Sequence, residues 1–248
     1  MNAPFFYAPP ENFSDQIVRL PADESRHLSK VLRLKPPAII TVVDGQGLAC
    51  RAEVAAAGKT GVTARIHSRQ RNLGEPVVQL TLAAGLSVGT KFDTVVEKGT
   101  ELGVRRFVPV ISEKSKVNLD EPRRVTSRVR RWEKVALAAM KQCRRSYRPD
   151  IAQPVSLAEY LKQIDPDDLN LILHPSPHAQ PLAISPEMSD ARRVSLLVGP
   201  ESGFSPDEVE EALEVGFSAV SLGDRILRTE TAGPVACALV MQALGELR

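Results

Sequence analysis

Cysteine, histidine and aromatic side chains are all scarce in this chain, and each shortage removes a class of explanation. Cys50, Cys143 and Cys237 are odd in number and far apart, which excludes a disulfide framework. With no C-x-x-C pair and four histidines in all, no metal site is expected. Aromatics make up 4% of the residues, so base stacking would not dominate contact with a nucleic acid. No apolar run approaches the length of a membrane span, and the opening residues lack a basic stretch followed by an apolar one. The expectation is a reduced, cytoplasmic setting with no membrane attachment. Neither G-x-G-x-x-G nor the Lys-Ser/Thr ending of a P-loop occurs, which removes support for the common dinucleotide and nucleoside-triphosphate sites.

What is present suits a folded chain of one large or two ordinary domains: 248 residues, 43% hydrophobic and 25% charged. Net charge is only +2, but it is segregated. Residues 1–72 carry 10 basic and 6 acidic side chains, a balance of +4. Residues 122–148 carry 10 basic side chains against Glu133 alone, a balance of +9, and residues 149–248 carry 6 basic against 16 acidic, a balance of −10. Such segregation points to one surface facing a polyanion, without identifying the partner.

Hydrophobic periodicity changes along the chain. In residues 1–72, short runs of alternating side chains at 39–43, 48–54 and 61–67, with the turn signal Asp44-Gly45, predict a small β-barrel. Leu28, Val31 and Leu32 predict a short amphipathic helix over 27–34, stopped by Pro36-Pro37. The linker falls at 72–76, giving domains 1–72 and 73–248. From residue 77 strands and helices alternate: strands at 77–86, 105–111, 169–174, 193–199 and 218–223, with helices at 91–102, 124–141, 206–215 and 229–247. This is the pattern of an α/β domain with a mostly parallel sheet and helices on both faces. Asp93, Glu97 and Glu101 lie at i, i+4 spacing on one helix, an arrangement that calls for a basic neighbour, and the Arg-rich helix is the obvious one.

Two stretches carry the chemistry. In 195–212 a buried strand runs into Gly199-Pro200-Glu201-Ser202-Gly203, followed by a helix that opens on Ser205 as N-cap, Pro206, and Glu208 completing an S-x-x-E capping box. In 219–236 a second strand ends at Gly223 and enters a loop dense in polar groups, Asp224, Arg225, Arg228, Thr229, Glu230 and Thr231, with apolar Ile226 and Leu227 among them. Loops at the carboxyl ends of parallel strands are where α/β proteins bind ligands. Each loop alone also reads as an ordinary tight turn with a helix cap.

GPESGF followed by SLGDRILRTETA resembles the paired signature of the SPOUT-superfamily methyltransferases, specifically the RsmE family. HLSKVLRL (27–34), VEKGTELGVRRFVPVISEKS (96–115), RRWEKVALAAMKQC (130–143) and LHP (173–175) extend the likeness over nearly the whole chain. The resemblance implies a SPOUT-type trefoil-knotted α/β domain that grips S-adenosylmethionine, preceded by a PUA-like RNA-binding β-barrel domain. It also implies methylation of N3 of a uridine in 16S (small-subunit) ribosomal RNA by a homodimer, with Val235, Leu239 and Leu244 offering an apolar helix face. Ser202 stands where the family has glycine, and a left-handed backbone there would strain a serine. KQCRR at 141–145 replaces an acidic residue and a glycine, and Gly233-Pro234 lies where the family favours helix formers. A non-catalytic RNA-binding protein on the same fold is the competing expectation.

Carried onto this chain, the resemblance assigns the cofactor to His174, Gly199, Pro200, Glu201, Gly203, Leu222, Gly223, Ile226, Leu227, Arg228, Thr229 and Thr231. Uridine N3 is protonated at neutral pH and must lose its proton to attack a methyl group, which makes Glu230 the candidate proton acceptor and Arg228 the stabiliser of the developing oxyanion. RNA contacts are assigned to Arg26, Lys30, Arg33, Arg123, Arg124, Arg128, Arg131, Arg144 and Arg145.

Overall fold

The computed structural model describes residues 3–58, 61–87, 89–115, 122–175, 179–182 and 190–247. The chain forms two compact units, Met1–Glu75 with Met140–Arg148, and Pro76–Ala139 with Pro149–Arg248.

The first unit holds β1 (Phe5–Tyr7), β2 (Ile17–Leu20), α1 (Ala22–Arg26), β3 (Ile39–Val43), β4 (Leu48–Gly58) and β5 (Gly61–Arg71). They form a five-stranded sheet in the order β1-β3-β4-β5-β2, antiparallel except for β1 against β3. The Asp44-Gly45 turn works as its residues require. The Asp44 carboxylate accepts from the N–H groups of Gln46 (2.7 Å) and Leu48 (2.9 Å), and Gly45 takes φ +72°. Alternate residues Ile40, Val42, Ala52, Val54, Val62 and Ala64 point inward onto Phe6, Val18 and Leu28.

The helix expected over 27–34 is displaced. α1 occupies 22–26 and continues as a single π-type turn, His27–Val31. Of the three apolar residues that predicted it, Leu28 is fully buried while Val31 is 65% and Leu32 41% exposed.

The segment 140–148 joins this unit through a buried ion pair. Arg145 Nε and Nη2 donate to Glu75 Oε2 at 3.1 and 2.8 Å, and the N–H groups of Ser146 and Tyr147 donate to Oε1 at 2.8 and 2.7 Å. Lys141 is paired with buried Glu24. The assignment of Arg145 to RNA is therefore corrected: its guanidinium is buried and committed to Glu75. A desolvated charge needs such a partner, and this one occupies the fork that a phosphate would use.

The second unit contains β6 (Gln79–Gly85), α2 (Lys91–Glu101), β7 (Arg106–Ile111), most of α3 (Pro122–Cys143), β8 (Asp150–Ile151), β9 (Val155–Ser156), α4 (Leu157–Leu161), β10 (Leu169–Leu173), β11 (Gln180–Pro181), β12 (Arg193–Val198), α5 (Pro206–Glu214), β13 (Ser218–Ser221) and α6 (Thr229–Ala243). Its eight strands are all parallel, in the order β11-β13-β10-β12-β6-β7-β8, with β9 also on β7. The two-residue period of the strands divides their side chains between two cores. Leu80, Leu82, Val194, Leu196 and Phe107 meet α2, α3 and α6 through Phe92, Val95, Trp132, Val240 and Met241. Ala83, Val108, Val110, Ile172 and Leu197 meet α4 and α5 through Tyr160, Leu161 and Ala212. Both faces are covered, which is why these strands read as continuous apolar runs.

α6 runs through Pro234 in its second turn, where no N–H is available for the carbonyl of Glu230. Such an interior proline costs about 3 kcal/mol. Burial of Ala236, Cys237, Val240 and Met241, each worth up to about 1.5–3 kcal/mol for the larger ones, outweighs it. Among the described residues no helix is long and apolar enough to cross a membrane.

Candidate functional site

A parallel sheet brings the carboxyl ends of all its strands to one edge, and there the loops after β10, β12 and β13 enclose a cavity of about 450 Å³. That size suits a small-molecule ligand.

The loop after β12 is held from several sides. Gly85, at the end of β6, is required by close approach: a Cβ there would lie 2.3 Å from the nitrogen of Pro200. The left-handed residue of the loop is Gly203 (φ +68°), not Ser202, so the serine carries no backbone strain. Ser202 instead donates its hydroxyl to the carbonyl of Lys114 at 2.8 Å. The Ser205–Glu208 capping box forms as its spacing predicts, and Glu208 does more than cap α5. Its Oε2 accepts from Ser205 N at 2.8 Å, and its Oε1 accepts from Glu113 N, on the loop after β7, at 2.7 Å. Glu201 pairs with Lys91 at the start of α2 (2.5 Å). Desolvation alone would raise the Glu201 carboxyl, but hydrogen bonds, chiefly from Lys91, and the Lys91 charge outweigh it and hold the group below the usual glutamate range.

The loop after β13 is tied to the first by Thr229, whose buried hydroxyl donates to the carbonyl of Gly199 at 2.9 Å. Leu173, Val198, Leu222 and Leu227 give the cavity apolar walls, while Ser221, Glu201 and His174 give it polar ones. His174 Nδ1 is buried with no hydrogen-bond partner. Burial, then the nearby Lys114 charge, lower the pKa of this imidazole.

Of the residues expected around a cofactor, His174, Gly199, Pro200, Glu201, Gly203, Leu222, Gly223, Ile226, Leu227, Arg228 and Thr229 line this cavity. Thr231 does not: it lies in the first turn of α6, exposed, its N–H bonded to the carbonyl of Arg228. Of the two catalytic candidates, Arg228 is on the wall with its side chain 80% exposed, and Glu230 lies behind the wall with its side chain 19% exposed. Their nearest charged atoms are 3.9 Å apart, and Glu230 Oε2 is buried without a partner. Sequence reasoning missed Ser202, Phe204 and Ala232 on the wall, and Lys91, Glu113 and Lys114, which bond to the loop after β12 and the start of α5. Position after a parallel strand was the available signal for Glu113 and Lys114.

The RNA candidates lie elsewhere. Arg26, Lys30 and Arg33 are exposed on or just beyond α1 and its π-type turn, and Arg144 is exposed with φ +65°. On α3, Arg123, Arg124 and Arg131 are exposed and Arg128 is half-buried. A groove of about 810 Å³ runs along Arg123, Thr126, Ser127, Arg130, Arg131 and Lys134. The acidic stripe of α2 finds its basic neighbour only in part: Arg131 pairs with Asp93, while Lys98 of α2 itself spans Glu97 (2.9 Å) and Glu101 (3.0 Å).

Residues 74–241 match a family described as RNA methyltransferase domain, and residues 20–66 match the RNA methyltransferase PUA domain. Ribosomal RNA small subunit methyltransferase E of Synechocystis sp. is 30% identical over 234 residues, which are 93% of this chain and 75% of that protein. The protein of the same name from Buchnera aphidicola is 28% identical over 92% of this chain and 88% of its own. The crystal structure of ribosomal RNA small subunit methyltransferase E from Neisseria gonorrhoeae bound to S-adenosyl methionine superposes with a TM-score of 0.84 at 33% identity, covering 97% of this chain and 98% of that one. This is the architecture of an RNA methyltransferase domain joined to a PUA-like domain. The chain belongs to the ribosomal RNA small subunit methyltransferase E family.

Proposed function

We propose that this protein transfers a methyl group from S-adenosylmethionine to N3 of a uridine in 16S ribosomal RNA, in the cytoplasm. The observation that carries the reading is the cavity walled by the two signature loops, in a chain whose Neisseria gonorrhoeae relative was crystallised with that cofactor. The residues fit the group: apolar side chains for an adenine ring, closely approaching backbone at Gly199 and Gly203, and an unpartnered His174 Nδ1. When bound, the cofactor supplies an electrophilic sulfonium methyl.

The chain's own residues perform the rest. Thr229 ties the two loops to each other and Glu201 ties the first of them to α2, so that acceptor and donor meet in line. Glu230, with an oxygen that bonds to nothing else, takes the N3 proton, and Arg228 swings toward the uracil oxygen that gains charge. RNA is held through phosphates by Arg26, Lys30, Arg33 and Arg144 of the first unit and by Arg123, Arg124, Arg128 and Arg131 of α3. We read the functional boundary near residues 72–75 and the two loops as parts of a trefoil knot. Exposed Val235 (36%) and Leu239 (39%), one turn apart on α6, are the face on which a second copy docks; Leu244 packs against the core instead.

The test pairs calorimetry with S-adenosylmethionine and methylation of 16S ribosomal RNA, the product located by mass spectrometry of nucleosides. N3-methyluridine is expected. Cofactor binding without methyl transfer to any form of the RNA would favour a protein that only binds RNA on this fold.

A further inference from the structure

Lys114 lies outside the cofactor wall and outside both signature loops, yet the structure fixes it at the rim of the cavity. It sits on the loop after β7, on the same edge of the sheet. Three hydrogen bonds fasten that loop to the one after β12 and to the first turn of α5: Ser202 Oγ to the Lys114 carbonyl (2.8 Å), Lys114 Nζ to the Phe204 carbonyl (3.1 Å), and Glu113 N to Glu208 Oε1 (2.7 Å). Ser202 and Phe204 line the cavity, whereas Lys114 does not and is exposed. Its ammonium has three donors, and one is used on Phe204. Lys91, the other lysine near these loops, is neutralised by Glu201. No carboxylate among the described residues forms an ion pair with Lys114. The result is a held cation with unspent donors, facing solvent beside the cavity mouth.

We propose that Lys114 binds a phosphate of the acceptor RNA and so positions the target nucleotide over the cofactor cavity. Lys114 is exposed and does not line the cavity, so the anion it takes belongs to a strand outside the cavity. Lysine binds phosphate as a point charge, and the bond to Phe204 limits the freedom lost when it does so. Burial and, after it, the Lys114 charge lower the pKa of the neighbouring His174. The assignment rests on the methyltransferase reading above.

The experiment compares wild type, Lys114→Met and Lys114→Arg in cofactor calorimetry and in steady-state methylation of a 16S RNA transcript across salt and pH. Expected for Lys114→Met is a rise of about tenfold in KM for RNA, the loss of roughly one charge-assisted hydrogen bond. Cofactor affinity and kcat should hold, the salt dependence of binding should become shallower by about one phosphate contact, and Lys114→Arg should restore KM. A fall in cofactor affinity that accounts for the lost activity would overturn the proposal, because Lys114 would then only brace the loop. So would an unchanged KM, or a kcat loss that appears as a shifted pH profile, which would place the charge on the base rather than on a phosphate. Absence of methylation by the wild type itself would instead count against the methyltransferase reading.

Discussion

Ser202 and Glu201 are neighbours that tie the same loop to different elements. Ser202 occupies a position where glycine would be the safe choice for a left-handed turn, yet the turn is made by Gly203, and the serine hydroxyl is free to bind Lys114. Glu201 binds Lys91, and its depressed pKa fixes the sign of a pH effect. A carboxyl whose folded pKa lies below its unfolded one adds stability that is fully present above the unfolded value and is lost as pH falls through the folded value. The Glu201–Lys91 tie should therefore persist near neutrality and weaken in the acid range below the ordinary glutamate pKa, and cofactor affinity should follow the order of the loop it holds. Glu201→Gln should weaken binding at neutral pH and lose much of that acid limb. Calorimetry between pH 3.5 and 8 decides it; a wild-type limb unchanged in the variant would remove Glu201 as its cause. These pH limits bracket the ordinary glutamate pKa of about 4.3.

At the scale of elements, the start of α5 joins folding to function. The capping box is a local device, but Glu208 is buried and its second oxygen reaches the loop after β7. Glu208→Ala leaves two backbone N–H groups without their acceptor and should cost about 1–3 kcal/mol. That corresponds to about 2–4 °C in Tm per kcal/mol for a chain of this size. Cofactor affinity should fall with it, because the loop after β12 loses an anchor. A variant with wild-type Tm would show that the inter-loop bond contributes nothing.

The exposed face of α3 presents a second case. Arg131 is engaged by Asp93, while Arg130 and Lys134 flank the groove. Arg130→Glu with Lys134→Glu should weaken RNA binding, flatten its salt dependence and leave cofactor affinity intact. Unchanged RNA titration across salt would take this face out of the RNA path.

On the scale of the whole molecule, the chain crosses between its two units more than once, because 140–148 belongs with the first. A truncation beginning at residue 73 would keep every residue lining the cavity but strip that segment of its unit. A point change is the cleaner probe. Arg145→Ala leaves the Glu75 carboxylate buried without its counter-ion, which should cost about 3–5 kcal/mol. The loss should appear as an early melting step of the first unit, with cofactor binding retained by the second and RNA affinity reduced. If cofactor binding vanished while the second unit stayed folded, the cavity would depend on the first unit.

Much was legible in the residues alone, for local reasons. Period-two alternation, continuous apolar strands, the Asp44-Gly45 turn and the Ser205–Glu208 spacing are short-range signals that do not depend on what packs against them. They located the main strands and helices of the second unit and the two loops that wall the cavity. Other features were settled only by packing. The expected helix over 27–34 moved because Val31 and Leu32 found no core to cover them, and α6 continued through Pro234 because its far side is buried. Short strands such as β8, β9 and β11 are too brief to carry a period. Arg145 reads as one more arginine in a basic run; only the arrival of Glu75, 70 residues earlier in the chain, makes it a buried structural charge. Residue identity sets what a side chain can bind, but whether it meets water, a carboxylate or a ligand depends on groups distant in sequence, and that was decided by the tertiary structure.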